Sequence, residues 1–172
     1  VFDLPNLVQK KGGQIKVHNN NIHDNNFPNF APKGNIVAMV QTGTGILILA
    51  TKGLDIYQNK IINNQTASTG IISYFTTGKL IKDEAYDPFP SAISIHDNIY
   101  ERKPGLPVGT DALSAIVARK FKESTPHVLF DGVKNKINIV IGTFVHEGGK
   151  NEYPFFSNEE EQENEKGFKP LH

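Results

Sequence analysis

The 172-residue sequence contains no cysteine, no tryptophan and a single methionine. The lack of cysteine excludes disulfide frameworks, thiolate nucleophiles, and zinc or iron–sulfur sites that are built on sulfur. Eighteen Lys and Arg face eighteen Asp and Glu, so the chain lacks the positive excess that drives general nucleic-acid binding. No apolar run reaches the ~18 residues that a membrane-spanning helix needs. The length fits one globular domain or part of a larger one.

The two ends of the sequence have little pattern. Residues 1–34 scatter a few apolar side chains among Asn, Lys, Gly and Pro, and neither the helical nor the strand period fits them. Because such a segment buries too little apolar surface to offset its ordering entropy, we expect an irregular N-terminal arm. Residues 158–172 are rich in Glu and are expected to form an acidic C-terminal tail. We predict that both ends bind other protein subunits, and that the chain is part of an oligomer or a larger chain, with no nucleic acid and no membrane as partner.

Residues 35–157, between these ends, have the pattern of a β-rich domain. The apolar runs 35–41 and 45–51 are joined by a short link around Gly43, which is a hairpin signal. More short strands are predicted at 54–57 and 60–62, and further hairpins at 70–81, 91–101 and 127–143. The predicted fold class is therefore mainly β, made of antiparallel meanders and hairpins.

One short helix is predicted near 111–122. Thr110 or Asp111 can cap it, and Leu113, Ile116, Val117 and Phe121 fall on one face. We expect this face to pack against the sheet, since a single helix beside a sheet has to bury its apolar side.

A weak internal repeat aligns 36–51 with 128–143 without a gap. The offset is 92 residues (143 − 51), and two units of ~45 residues would give it, a length typical of four-stranded propeller blades.

The segment from Gly45 to Tyr57, GILILATKGLDIY, resembles the blade signature of regulator-type β-propellers in bacterial sensor proteins. The segment from Asp131 to Ile139 is similar to strands in propeller-like proteins of phage necks and tails. These resemblances imply a partial β-propeller that serves as a scaffold or a recognition surface, and they bring no catalytic residues with them.

Three pairs place a base beside an acid: His23-Asp24, His96-Asp97 and His146-Glu147. Because consecutive residues of a strand point to opposite faces, we interpret these pairs as turn residues, not as catalytic pairs. No nucleophile, phosphate-loop or metal-ligand spacing is present. We therefore predict no catalytic residues, no cofactor and no metal. A hydrolase site assembled from dispersed residues stays open as an alternative, with His96, His127, His146, Asp97 and Asp131 as its candidates.

Structural anchors can also be named. Positive backbone φ angles are predicted at Gly43, Gly45, Gly53 and Gly132, and core positions at Ile48, Ile139 and Ile141.

The leading functional hypothesis is a non-enzymatic structural or assembly component of a large complex, such as a phage virion neck or tail. The alternatives are a ligand-binding or sensory β-propeller ectodomain fragment, and the hydrolase with a dispersed site. The sequence leaves the localisation unknown, with a virion as the suspected place.

Overall fold

The computed structural model describes residues 1–10, 12–132, 139–141 and 155–157, the last two ranges as backbone strands only. The strands in these residues are β1 (Ile15–His18), β2 (Asn21–His23), β3 (Thr44–Leu49), β4 (Lys52–Tyr57), β5 (Lys60–Ile62), β6 (Ala67–Ile72), β7 (Ser91–His96), β8 (Ile99–Glu101), β9 (Val128–Phe130), β10 (Ile139–Ile141) and β11 (Phe155–Ser157). The helix α1 spans Ala112–Phe121, and two 3₁₀ helices span Ile36–Met39 and Tyr74–Thr77.

Every strand pairing in the described residues is parallel. Sheet 1 has the order β1-β4-β7-β10, sheet 2 the order β2-β5-β8, and sheet 3 the order β11-β9-β6-β3. The chain visits the three sheets in turn, so it winds as a parallel β-helix. Its first coil is β1, β2 and β3, its second coil β4, β5 and β6, and its third coil β7, β8 and β9.

Over the first three coils, the register of sheets 1 and 2 has a constant period. Ile15 pairs with Leu54, and Leu54 pairs with Ile93, so equivalent residues lie 39 positions apart (54 − 15 = 93 − 54 = 39). β10 departs from it, because Ile139 pairs with Ile93, 46 residues back (139 − 93). Sheet 3 has no such period: Thr44 pairs with Ala67, 23 residues on (67 − 44), whereas Thr69 pairs with Val128, 59 residues on (128 − 69). The loops that enter sheet 3 therefore differ in length, while the strands keep their places.

The three loops at this corner are residues 24–43, 63–66 and 102–127. The short loop of the second coil joins its longer neighbours, because the Thr66 hydroxyl donates to the carbonyl of Thr42 at 2.6 Å and accepts from the Val108 amide at 3.3 Å. One threonine thus holds together loops from all three coils.

Aliphatic side chains of all three sheets fill the interior of the winding. Alternate residues of each strand point inward, and the chain places apolar residues at those positions. The fully buried members are Ile48, Leu54, Ile56, Ile61, Ile71, Ile93, Ile95 and Val128. A second cluster covers the other face of sheet 3 and consists of Leu49, Ala50, Ile72, Tyr74 and Tyr86.

The corner between sheets 1 and 2 repeats one conformation in each coil. Asn19, Gln58 and Asp97 adopt φ angles of 55°, 53° and 52°, the left-handed region that side chains rarely enter. An asparagine follows each of them, and these form a column: Asn20, Asn59 and Asn98. We call this column the asparagine ladder.

The asparagine ladder joins the coils through amide hydrogen bonds. The Asn59 side-chain oxygen accepts from both the backbone and the side-chain nitrogen of Asn20, and the Asn98 oxygen accepts in the same way from Asn59. The Asn59 side-chain nitrogen also donates to the carbonyl of Val17 at 2.8 Å. A buried polar group with all its partners is tolerated inside a protein and fixes one arrangement. A second pair, Asn25 and Asn64, does the same at the next corner.

The predicted antiparallel hairpins and the partial β-propeller are wrong, because all the described strands are parallel and consecutive strands belong to different sheets. The propeller architecture of the sensory alternative is wrong for the same reason, whereas its ligand-binding or sensory role stays a prediction. Apolar alternation locates strands but does not choose their partners, and the glycine-bearing links mark corners of the winding instead of reversals. Residues 36–39 are a 3₁₀ helix whose N-cap, Asn35, accepts from the Val37 amide, and not the predicted first strand.

The N-terminal segment is not irregular throughout. β1 and β2 lie within residues 1–34 and pair with β4 and β5. Residues 1–3 also pair with the end of β3, since the Asp3 amide donates to the Leu49 carbonyl and the Leu49 amide to the Val1 carbonyl. The division into 1–34, 35–157 and 158–172 stays a prediction, and 158–172 lies outside the described residues.

The helix prediction is confirmed. α1 begins after Asp111, whose carboxylate accepts from the Ser114 amide at 3.0 Å. Its expected apolar face is only partly buried, because Val117 is buried whereas Ile116 is 49% exposed. In the described part of the chain, no helix combines the length and the hydropathy of a membrane span.

The glycine predictions succeed at three positions of four. Gly43, Gly53 and Gly132 have positive φ angles, whereas Gly45 does not. Gly45 is required for space instead, because a Cβ there would lie 2.7 Å from the Ser68 carbonyl oxygen and 2.9 Å from the Asn64 side-chain nitrogen. Ile48 is buried, as predicted. Ile139 and Ile141 lie in β10, and their side chains are outside what the structure describes.

The ladder gives a stability prediction. Asn59→Ala removes hydrogen bonds to two neighbouring coils and leaves their buried partners unsatisfied, so we expect the free energy of unfolding to fall by about 2–4 kcal/mol. Asn20→Ala is the matched control, because Asn20 is exposed and ends the ladder. We expect it to cost less than about 1 kcal/mol in urea denaturation. Equal losses for the two variants would show that the ladder does not stabilise the coils.

Candidate functional site

Three rings stack on the outside of sheet 1, at the corner before sheet 2. His18, Tyr57 and His96 occupy equivalent positions in the three coils. The centroids of His18 and Tyr57 are 4.9 Å apart and those of Tyr57 and His96 are 5.3 Å apart, with interplanar angles of 9° and 5°. The Tyr57 ring therefore has both faces covered, and the stack serves to join coils.

His96, at one end of this stack, lies between two carboxylates. Its Nδ1 is 2.7 Å from an oxygen of Asp97 and its Nε2 is 3.0 Å from an oxygen of Asp55. The hydrogen bond to Asp97, which has the larger effect, and the hydrogen bond to Asp55 raise the pKa of His96 above its ordinary value of about 6.5. The protonated ring can donate to both carboxylates and so links the second coil to the third from outside.

The geometry of His96 corrects the interpretation of the histidine–acid pairs. We expected consecutive residues to point apart, but His96 and Asp97 form a hydrogen bond, as do His23 and Asp24 at 3.0 Å. In each pair the acid has a φ angle of 52°, so it stands at a corner and its carboxylate turns back toward the ring. The strand rule fails there because the strand has ended.

His96 is nevertheless poorly arranged as a general base. A base needs one ring nitrogen free to take a proton from a nucleophile. In His96 both nitrogens already face carboxylates, which favour the charged imidazolium. The arrangement is that of a bridging cation.

The other members of the dispersed hydrolase site lie elsewhere. His127 and Asp131 flank β9 in sheet 3, whereas His96 and Asp97 end β7 in sheet 1. The carboxylate of Asp131 accepts from the backbone and the hydroxyl of Ser73, at 2.7 and 2.9 Å. The candidates therefore lie in three places, because His127 contacts Ser68 at the start of β6 whereas Asp131 contacts Ser73 after its end. His146 lies outside the described residues.

His127 belongs to a buried polar group that the sequence analysis did not identify. Its Nδ1 is 3.0 Å from the Ser68 hydroxyl, and its ring stacks on Tyr100 at 5.2 Å. The Arg102 guanidinium donates to the carbonyl of Thr125 at 2.6 Å, and burial lowers the pKa of Arg102 to about 10. Burial likewise raises the pKa of Tyr100. No local motif marks this group, because its members come from separate strands and a loop.

No group of three or more His, Asp or Glu side chains in the described residues could hold a metal ion. The expected absence of a metal and a cofactor stays a prediction.

Within the described residues, no further strand covers the outer side of the first coil. Its inward-pointing residues Ile15, Val17 and Ile22 are only partly buried, although their partners in the second coil, Leu54, Ile56 and Ile61, are at most 1% exposed. β1 and β2 are the edge strands of their sheets, whereas residues 1–3 pair along the edge of sheet 3. Two backbone edges and one apolar end therefore face outward together.

Within the described residues, the asparagine ladder also has its last member, Asn20, in the first coil. Asn20 is exposed, while Asn59 and Asn98 are at most 1% exposed. Among the described residues, no donor reaches the side-chain oxygen of Asn20, the position that accepts two hydrogen bonds in Asn59 and Asn98.

Two concavities of the described surface are large enough to hold a small molecule. The larger, about 760 Å³, lies beside the N-terminal segment and is lined by Leu4, Pro5, Asn6, Gly34, Asn35, Ile36, Tyr74, Lys79, Leu80, Lys82 and Asp83. The smaller, about 330 Å³, lies on the outer face of sheet 2.

Comparisons with known proteins add no relative: no family model matches the chain, and no curated protein or solved structure is significantly similar to it.

The His96 bridge predicts a pH dependence. The pKa of His96 is raised in the folded state, so its stabilisation is complete below the pKa of the unfolded chain and is lost as the pH rises through the folded value. We expect Asp97→Asn to lower the melting temperature more at pH 5 than at pH 9, because the neutral amide cannot favour the imidazolium. An NMR titration should place the pKa of His96 lower in the variant. A loss that is the same at both pH values would contradict the bridge.

Proposed function

We propose that the chain is a non-enzymatic structural or assembly module, which joins a second copy of itself through the open first coil. The observation that carries the proposal is that, among the described residues, the apolar columns, the asparagine ladder and the strands β1 and β2 have no further partner on the outer side of that coil. An exposed edge is a template for pairing with another chain unless something blocks it. Here the edge borders apolar side chains that gain from further burial.

A second copy is the simplest occupant of this surface. Two first coils that meet around a two-fold axis present the same surface to each other, and such a closed contact is the commonest form of homo-oligomer. It would cover Ile15, Val17 and Ile22 of both copies at once. The contact closes on itself, so it yields a dimer and not a fibre.

The chemistry of the described residues favours this role over catalysis. His96 faces two carboxylates, and Asp131 is engaged by Ser73. The phage neck or tail stays a prediction for the place of such a module, and an end-to-end joint suits a virion as it suits other large assemblies.

The proposal predicts the oligomeric state. Sedimentation equilibrium should show a dimer at micromolar concentration, and Val17→Lys should shift it to the monomer because a charge is placed at the centre of the joint. Ile116→Lys is the matched control, since it changes an exposed apolar residue on α1 and should leave the dimer intact.

Circular dichroism melting checks that both variants fold, and Ile22→Lys serves as a second probe of the same surface. A wild-type chain that stays monomeric across the concentration range would overturn the proposal, as would a dimer that both first-coil variants retain.

A further inference from the structure

The groove on the outer face of sheet 2 crosses all three coils. Register places Asn21, Lys60 and Ile99 in one row and His23, Ile62 and Glu101 in the next. With Asp24, these six residues line a depression of about 330 Å³, a volume within the range of small-molecule sites. Neighbouring residues of a row lie on adjacent strands, about 4.8 Å apart. The groove therefore spans roughly 10 Å from the first coil to the third.

Only side chains can recognise a ligand at the centre of this surface. β5 pairs with β2 on one side and β8 on the other, so the ladders use its backbone groups. An extended peptide that binds by adding a strand needs a free edge and finds none over β5.

The lining combines hydrogen-bonding groups of both kinds with an apolar floor. Asn21 can donate and accept, Lys60 donates, and the Glu101 carboxylate accepts. His23 and Asp24 are hydrogen-bonded to each other at 3.0 Å and close the end at the first coil. Ile62 and Ile99 supply aliphatic surface between the polar groups.

The charge of the groove further limits the chemical class of ligand that can bind there. Two carboxylates, Asp24 and Glu101, face one ammonium, Lys60, so phosphate groups and polyanions meet net repulsion. The groove thus disfavours anions, and a ligand that matches the rest of its lining carries many hydroxyl groups that both donate and accept, together with apolar C–H surface for the isoleucines.

We propose that this groove binds a neutral oligosaccharide, laid along the axis of the winding. Sugar rings combine hydroxyl edges with C–H faces, and a chain of them repeats along its length as the rows of the groove do. The groove uses outward-pointing side chains of sheet 2, whereas the proposed dimer uses the inward-pointing residues and the backbone edges of the first coil, so the two proposals depend on different groups.

The test is isothermal titration of the full chain with short neutral oligosaccharides: cello-, malto-, xylo- and N-acetylchito-oligosaccharides. We expect at least one series to bind, and Glu101→Gln and Lys60→Ala each to weaken that binding about tenfold, the effect of losing one hydrogen bond to a charged group. Glu123→Gln is the matched control, because it makes the same change at an exposed residue beyond α1. It should leave the affinity unchanged.

Three outcomes would overturn the inference. The first is the absence of binding to every series at millimolar concentration. The second is binding that Glu101→Gln and Lys60→Ala leave unchanged, which would place the sugar elsewhere. The third is preferential binding of an anionic saccharide, because the carboxylates of the groove repel anions.

Discussion

The winding of this chain depends on the hydrogen bonds that asparagine side chains make between coils. A backbone that turns sharply from one sheet to the next leaves amide and carbonyl groups pointing into the corner, where no strand can pair with them. Asn59 and Asn98 satisfy those groups in the coil before and in their own coil. The isoleucine columns supply the bulk of the apolar burial, but apolar contact alone is non-directional and would tolerate a slip between coils. The amides fix which residue lies above which.

Part of the fold could be predicted from the sequence. Apolar alternation located the strands from Gly45 to Ile62, and the Asp111 cap located α1, because both depend on local chemistry. Strand partners depend on the whole path of the chain, and for these the sequence was misleading. Glycine-bearing links between apolar runs are typical of hairpins, and the parallel alternative needs a repeat to reveal it.

That repeat is present in the sequence but was obscured. Residues 17–26 and 56–65 share one pattern. Each begins with an apolar residue, a residue with a ring side chain, a corner residue and an asparagine, and each continues with isoleucine and further asparagines. The run from Asn19 to Asn21 lies in the segment that was expected to be an irregular arm, because neither the helical nor the strand period fits residues 1–34. In this fold the same residue type occupies a buried corner in the second and third coils. A search for equivalent asparagines 39 residues apart would have found it, whereas the uneven loops before sheet 3 hid the period.

The candidate site residues also differ in whether the local sequence could reveal them. The His–Asp pairs were visible as neighbours in sequence, but their contact depends on the left-handed residue that ends each strand. The groove could not be predicted without the register, since its walls come from residues 39 and 78 positions apart (60 − 21 and 99 − 21).

Loops of very different length leave the winding at one corner without disturbing it. The second coil crosses that corner in residues 63–66, while its neighbours use 24–43 and 102–127. Strand pairing runs between coils and not across the loop, so segment length at this position is almost free of structural constraint. At such a corner, loops can be lengthened or replaced during evolution while the paired strands of the winding stay the same.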